Sequence, residues 1–276
     1  MTKSRFIVTG ANAGGSLLDC LAQRMDVSRR KAKELIDGRG VFVNGRRVWM
    51  ARHTLRAGDQ VEMHAAPVQK ASAPAPVVFE DDEYLIVNKP PGVICNGPES
   101  VEEGLRTQRG NAWLAAVHRL DRDTSGCLIF AKTPAARDRI LALWNTHAIT
   151  KLYHAVVLGR VPKREHTIDR PVDGLSAVTH FRVLDANDLA SHLLVKIDTG
   201  RTHQIRRHME ALGYPVLGDR AYGGGVALPP QFRGISRQML HAGGLRFEHP
   251  ATGKPVRVDI PMPGDFHSCL SALRLS

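Results

Sequence analysis

The segment HAAPVQKASAPAPVV, residues 64–78, constrains this chain more than any other. Its three prolines remove backbone donors and fix φ, which bars both a continuous helix and a central strand. It reads as a Pro/Ala-rich linker over residues 66–76 and predicts two separately folded parts, residues 1–65 and residues 77–276. With 276 residues there is room for one medium and one small domain, each with its own core. An apolar fraction of 43% and a charged fraction of 24% exclude a disordered chain and a bundle of membrane helices.

The first part is strongly basic. Residues 1–65 hold 12 Lys or Arg against 6 Asp or Glu, within a chain of net charge +11. Such an excess favours a polyanionic partner. Ser16 is placed to cap a helix bearing Leu17, Leu18, Leu21 and Ala22. Ser28 is placed to cap a second, in which Ala32, Leu35 and Ile36 share one face and Arg29, Arg30, Lys31 and Lys33 are left for solvent. Val41 and Val43 then alternate with Phe42 before Asn44-Gly45, a two-residue hairpin signal, and Leu55, Val61 and Met63 are expected to close a small sheet.

A basic helix alone is ordinary solvated surface. Here it coincides with Arg46 and Arg47 of the hairpin and with the local charge excess, and together these point to RNA. The stretch SRRKAKELIDGRGVFVNGRRV, within residues 14–63, resembles the ribosomal-protein-S4-like RNA-binding module. Its turn at Gly38-Arg39-Gly40 is one or two residues longer than is usual there.

Cys20, Cys95, Cys127 and Cys269 are scattered, with no C-x-x-C pair and no disulfide framework, which suits a reducing cytoplasm. The N-terminus lacks an apolar export segment, and no apolar run approaches the roughly 20 residues that cross a bilayer. No membrane association is expected.

After the linker, strands are expected at 77–79, 84–87, 126–131, 152–159, 181–184, 192–198 and 256–260. Helices are expected at 134–146, capped by Thr133 with Pro134 in its first turn, and at 203–212. Strand runs with isolated helices predict an α+β domain on a mixed, largely antiparallel sheet, preceded by the small N-terminal α/β module.

Two blocks carry chemistry. HRLDRDTSG, residues 118–126, sets Asp121 and Asp123 among Arg119 and Arg122 before a buried strand. An aspartate flanked by arginines suits a nucleophile or base better than an acid. GRTHQIRRHM, residues 200–209, opens a helix whose first turn and a half carries Arg201, His203, Arg206 and Arg207, a natural anion site. His203 and His208 are five apart and do not share a helix face, so no metal site is expected.

Together with VNKPPGV (87–93) and KLYHAVVLG (151–159), these blocks resemble in order those of the RluA family of pseudouridine synthases. With the S4-like module, the likeness spans nearly the whole chain. The leading His118, where small-subunit-modifying relatives carry Gly, points to the same family. The resemblance implies a catalytic aspartate at Asp121, an active-site tyrosine at Tyr153 and a basic partner at Arg206. It also implies substrate-binding roles for Arg119, which would help open the RNA around the target base, and for Arg122, Arg201, His203 and Arg207.

The implied reaction breaks the glycosidic C–N bond of a uridine, turns the base and rejoins it through carbon 5. It needs no cofactor and no obligate protein partner is inferred. An RNA partner follows, with large-subunit ribosomal RNA favoured over transfer RNA. One departure is NGPESVEEGLRTQRG, after VNKPPGVIC, which reads as a shortened, partly acidic loop that alters RNA choice. Two rival readings stand beside this one. A non-catalytic RNA-binding or ribosome-assembly factor could use the same fold, and a hydrolase could use Asp121 and Asp123 as a pair.

Overall fold

A computed structural model describes residues 3–37, 41–48, 50–64, 75–223 and 234–276. The chain divides into two compact units, residues 1–70 and 71–276. The Gly38-Arg39-Gly40 turn, residues 65–74 of the Pro/Ala segment, and the side chains of Arg30, Lys31, Arg46 and Arg47 lie outside the described residues.

The first unit contains β1 (Lys3–Ile7), α1 (Leu17–Arg24), α2 (Arg29–Asp37), β2 (Val41–Val43), β3 (Arg46–Arg47) and β4 (Gln60–His64). Its sheet runs in the order β1-β4-β2-β3. Ser16 caps α1 by accepting from the Asp19 amide at 3.1 Å. Asn44 and Gly45 take φ of 51° and 72°, the mirror-image turn that matches strand twist. The Asn44 side chain then fastens the turn to β4 by donating to Asp59 at 2.8 Å and accepting from the Gln60 amide at 2.9 Å. Leu17, Leu21, Ala32, Ile36, Val41, Leu55 and Val61 form the core, with Arg29 and Lys33 exposed. Leu55 contributes from irregular chain rather than a strand. The strand β1 has no counterpart among the sequence expectations, because KSRFI shows no alternation strong enough to signal it.

The second unit contains β5 (Val77–Glu80), β6 (Tyr84–Lys89), α3 (Val101–Arg109), β7 (Ala115–Ala116), β8 (Ser125–Ala131), α4 (Pro134–Asn145), β9 (Thr150–Leu158) and β10 (Glu165–Asp169). It continues through β11 (Val178–Ala186), β12 (Ala190–Ile197), α5 (Gln204–Ala211), β13 (Leu240–Glu248), β14 (Pro255–Asp259) and α6 (Gly264–Leu273). Among the described residues one sheet takes the order β10-β11-β12-β9-β13-β8-β6-β5, with β14 beside β13 and β7 beside β8. The described strand pairs are antiparallel except β8 with β13, which is the mixed, largely antiparallel arrangement expected. Every residue of β8 is buried, as a central strand with both faces covered requires.

The expected acidic loop before β7 is partly a helix. Ser100 accepts from the Glu103 amide at 3.1 Å, and the Glu103 carboxylate accepts in return from the Glu99 amide at 2.5 Å. Those two bonds, with Glu102 and Glu103 in the first turn and Gly110 left-handed at the end, make the acidic residues the N-terminal turn of a helix.

The parallel contact of β8 and β13 needs glycine. Gly126 has φ of 113°, and a Cβ there would lie 2.1 Å from the carbonyl oxygen of Ala242. Gly126→Ala is therefore expected to destabilise this unit by roughly 3 kcal/mol or more, read by denaturant unfolding. A loss under about 1 kcal/mol would show that the two strands can part there.

Partly buried histidines contribute to the unit's acid sensitivity. The His118 Nε2 accepts from the Ile129 amide at 3.2 Å, its ring stacks on Trp144 with centroids 4.5 Å apart, and burial pushes its pKa down to about 3. Burial likewise pushes His154, bonded to His192 at 3.0 Å, down to about 4. Folded values below the unfolded one mean that the unfolded chain takes up more protons below about pH 6.5, so stability is lost as pH falls through that point. Between pH 7 and 5 the expected loss is about 2 kcal/mol from His118 and less from His154, which keeps more contact with solvent. Urea titrations across that range are expected to show a flatter slope in the double variant His118→Asn, His154→Asn. An unchanged slope would reject this assignment.

Candidate active site

Asp121 lies on the loop between β7 and β8, and two buried cations hold that loop in shape. The Lys89 ammonium, fully buried at the end of β6, donates to the carbonyl oxygens of Pro90, Val93 and Arg122 at 2.8, 2.8 and 2.9 Å. Burial lowers its pKa to about 8. On the other side Arg237 donates to the carbonyl oxygen of Asp123 at 3.1 Å, and it forms a bidentate pair with Asp265 at 2.6 and 2.9 Å. Asp121 is thereby set between the start of β8 and the helix α5.

From α5, Arg206 reaches Asp121. Its Nη1 donates to Asp121 Oδ2 at 2.9 Å, while its Nε and Nη2 hold the two oxygens of Asp219 at 2.5 and 2.9 Å. Asp219 is fully enclosed, and its Oδ1 also accepts from the amides of Ala221 and Tyr222. The guanidinium face lies 5.0 Å from the Tyr222 ring centroid. A buried arginine with two carboxylates and an aromatic face has one orientation available.

His203 stands at the N-terminus of α5 with φ of 56°, a left-handed conformation uncommon for a side-chain-bearing residue. Its Nδ1 is 3.0 Å from the Tyr222 hydroxyl, and its Nε2 is 3.6 Å from Asp121 Oδ1. Burial lowers its pKa, which favours the neutral ring beside the carboxylate.

Tyr153 is buried at the middle of β9. Burial first and the Asp121 charge second push its hydroxyl pKa upward, which keeps it a neutral phenol. Of the sequence-predicted trio, Asp121 and Arg206 are in contact, and Tyr153 lies near enough to feel the Asp121 charge. The other predicted residues are spread more widely. Arg119 is exposed close to the cluster. Arg122 donates to Gly92 O at 2.8 Å and Arg201 to Ser176 O at 3.0 Å. Arg207 pairs with Asp173 at 2.8 Å. His208 is buried between Thr179 and Arg170 O, both at 2.9 Å, and faces other partners than His203. No cluster of three or more metal-binding side chains occurs among the described residues.

Four residues of this site escape sequence reasoning: Lys89, Asp219, Arg237 and Gln238. Lys89 and Asp219 sit inside blocks already singled out, but their types do not say that they are buried. Gln238 donates to Asp121 Oδ2 at 3.3 Å and to Thr124 Oγ1 at 3.0 Å from 117 and 114 residues away.

Comparison with known proteins places this geometry. Residues 83–211 match the RNA pseudouridylate synthase family, and residues 17–61 match the S4 domain. The chain is 34% identical to the ribosomal large subunit pseudouridine synthase D of Vibrio parahaemolyticus, over 90% of this chain and 87% of that one. It is also 34% identical to the protein of that name from Pseudomonas aeruginosa, over 95% and 93%. In fold it is similar to human RNA pseudouridylate synthase domain containing 4, with a TM-score of 0.64 at 22% identity, covering 73% of this chain and 94% of that one.

Fold and sequence together define an enzyme that isomerises uridine in RNA. Within that class, the chain belongs to the RluA family of RNA pseudouridine synthases and carries an S4 RNA-binding domain.

Removing Asp219 would leave the Arg206 charge enclosed with a single partner. Asp219→Ala is expected to cost roughly 3 kcal/mol of stability, measured by urea unfolding, because the lost partner compensates a buried charge. A change below about 1 kcal/mol would mean that solvent reaches Arg206 freely.

Proposed function

We propose that Asp121, Tyr153 and Arg206 carry the isomerisation, and that the substrate is a uridine of large-subunit ribosomal RNA. The observation that supports the catalytic reading best is the Asp219–Arg206–Asp121 chain, in which a buried cation aims one carboxylate while spending its remaining donors on a second. The substrate reading rests on relatives that are named as large-subunit enzymes.

The chemistry fits such a site. The C1′–N1 bond of uridine breaks, the uracil turns, a C1′–C5 bond forms, and the proton lost from C5 is matched by one gained at N1. Asp121 serves as the carboxylate that acts on the ribose, by attack at C1′ or by removal of the neighbouring 2′ proton. Arg206 keeps that carboxylate aimed. Tyr153 offers its ring to the uracil and a neutral hydroxyl near C5, where it can pass a proton on without itself ionising.

A base stacked in RNA cannot reach a half-buried carboxylate on a folded loop, so the target nucleotide must leave its helix at a cost of a few kcal/mol. Arg119, exposed beside the site, is suited to support the opened strand. Exposed Arg122 and Arg201 and half-buried Arg207 are the cations suited to phosphates of the bound strand, and His203 borders the carboxylate. Residues 1–65 act as the RNA-binding module through Arg29, Arg30, Lys31, Lys33, Arg46 and Arg47. Residues 66–76 act as linker and 77–276 as the catalytic domain, and the enzyme works in the cytoplasm.

The test is pseudouridine mapping of unmodified large-subunit ribosomal RNA and of unmodified transfer RNA, each incubated with wild-type protein or Asp121→Ala. New pseudouridine in the ribosomal RNA is expected with wild type, and the variant should be slower by roughly 1,000-fold or more. Modification confined to transfer RNA would overturn the substrate, and undiminished activity in the variant would overturn the role of Asp121.

A further inference from the structure

The two oxygens of Asp121 are not equivalent. Oδ2 accepts from Arg206 Nη1 at 2.9 Å and from Gln238 Nε2 at 3.3 Å. Oδ1 has no hydrogen-bond donor among the described residues, since His203 Nε2 stands 3.6 Å away. An arginine alone could pair with either oxygen of a carboxylate that turns about its χ2. A second donor on the same oxygen, arriving from a different segment, removes that freedom.

Gln238 is built to be that donor. It is buried, and its NH2 end faces both the carboxylate and Thr124 Oγ1, so each of its two protons has an acceptor. The reversed amide would set its carbonyl oxygen against the carboxylate. Its backbone is pinned as well. The neighbouring Arg237 donates to the carbonyl oxygens of Gln238 and Asp123, so the segment bearing Gln238 and the loop bearing Asp121 are tied through one guanidinium. Met239 donates to the Leu217 carbonyl at 2.8 Å, and a Cβ on Gly218 would lie 2.1 Å from the Arg237 oxygen. The segment that brings Gln238 is therefore pressed against the one that brings Asp219.

We propose that Gln238 is a positioning residue for the isomerisation: with Arg206 it holds Oδ2 of Asp121 and so leaves Oδ1 as the oxygen presented to the ribose. This rests on the reading of Asp121 as the reacting carboxylate. Gln238 acts through Asp121 and need not touch the RNA.

The test uses the full chain, unmodified large-subunit ribosomal RNA, and single-turnover rates measured beside RNA affinity and thermal unfolding. Gln238→Met keeps the volume and removes the donor. Its rate is expected to fall about tenfold or more while RNA affinity stays within about twofold. Thr124→Val frees the amide without touching Asp121 and is expected to lower the rate about threefold in the same manner, which keeps the test decisive should Gln238→Met fail to fold.

Gln238→Glu sets a second carboxylate beside Asp121, among Arg206, His203, Lys89, Cys95, Tyr153 and Tyr222. The acid limb of its rate profile is expected to move to higher pH, because two adjoining carboxylates share a proton. That shift reports that side chain 238 faces the carboxylate, while a rate that falls with RNA affinity and unfolding temperature unchanged separates positioning from a merely structural role. A wild-type rate in Gln238→Met or Thr124→Val, a loss explained wholly by weaker RNA binding, or an unmoved acid limb in Gln238→Glu would each overturn the proposal. An inactive Asp121→Asn alongside such a result leaves the site reading standing. An active Asp121→Asn removes both.

Discussion

The Arg206 guanidinium is the interaction on which the catalytic unit depends. It is a cation enclosed by the fold, and a buried charge is tolerated only when its donors are used. Asp219 takes two of them, Asp121 a third, and Tyr222 covers the face. Three separate stretches of chain must therefore arrive together before Arg206 is satisfied: the loop before β8, the helix α5 and the turn around Asp219. The same contacts that orient the candidate carboxylate also close the fold around it, so stability and geometry are set by one group.

Around that centre the backbone is held by cations bound to carbonyl oxygens. Lys89 and Arg237 do not bond to the Asp121 carboxylate in the structure; they fasten the main chain just after it, through Arg122 O and Asp123 O. Such bonds carry no information in their acceptors, since every residue has a carbonyl. This is why a loop of polar residues can be as fixed as a strand, and why β8 can begin with Gly126 packed directly on Ala242.

What could be read from the sequence follows the same division. Asp121, Arg206, His203 and Tyr153 lie in blocks whose order resembles a known family, and the strands flanking them show through as apolar runs. The helix 134–146 announces itself through Thr133, Pro134 and its apolar stripe. The helix α3 does not, although Ser100 and Glu103 stand at capping-box spacing, because its acidic first turn has the composition of a loop. The strand β13 hides behind two consecutive glycines, and α6 begins after prolines without a side-chain cap. Gln238 was beyond reach for a different reason: a neutral amide has no motif of its own, and its partner is 117 residues away.

The charge balance of the site bears on the reaction proposed for it. Arg206 is shared by two carboxylates, His203 is held toward its neutral form by burial, and Tyr153 stays a phenol, so the Asp219–Arg206–Asp121 row carries one net negative charge. As the glycosidic bond lengthens, positive charge gathers at C1′ of the ribose. A single fixed negative charge is worth more to that developing cation than to neutral uridine. The second carboxylate, Asp219, spends its charge on the arginine and offers none to the substrate. An arrangement with two free carboxylates would suit a reaction that needs both an acid and a base at one bond. Here Asp219 is committed wholly to Arg206, and Asp121 keeps one oxygen without a donor among the described residues, which suits the isomerisation proposed for the site.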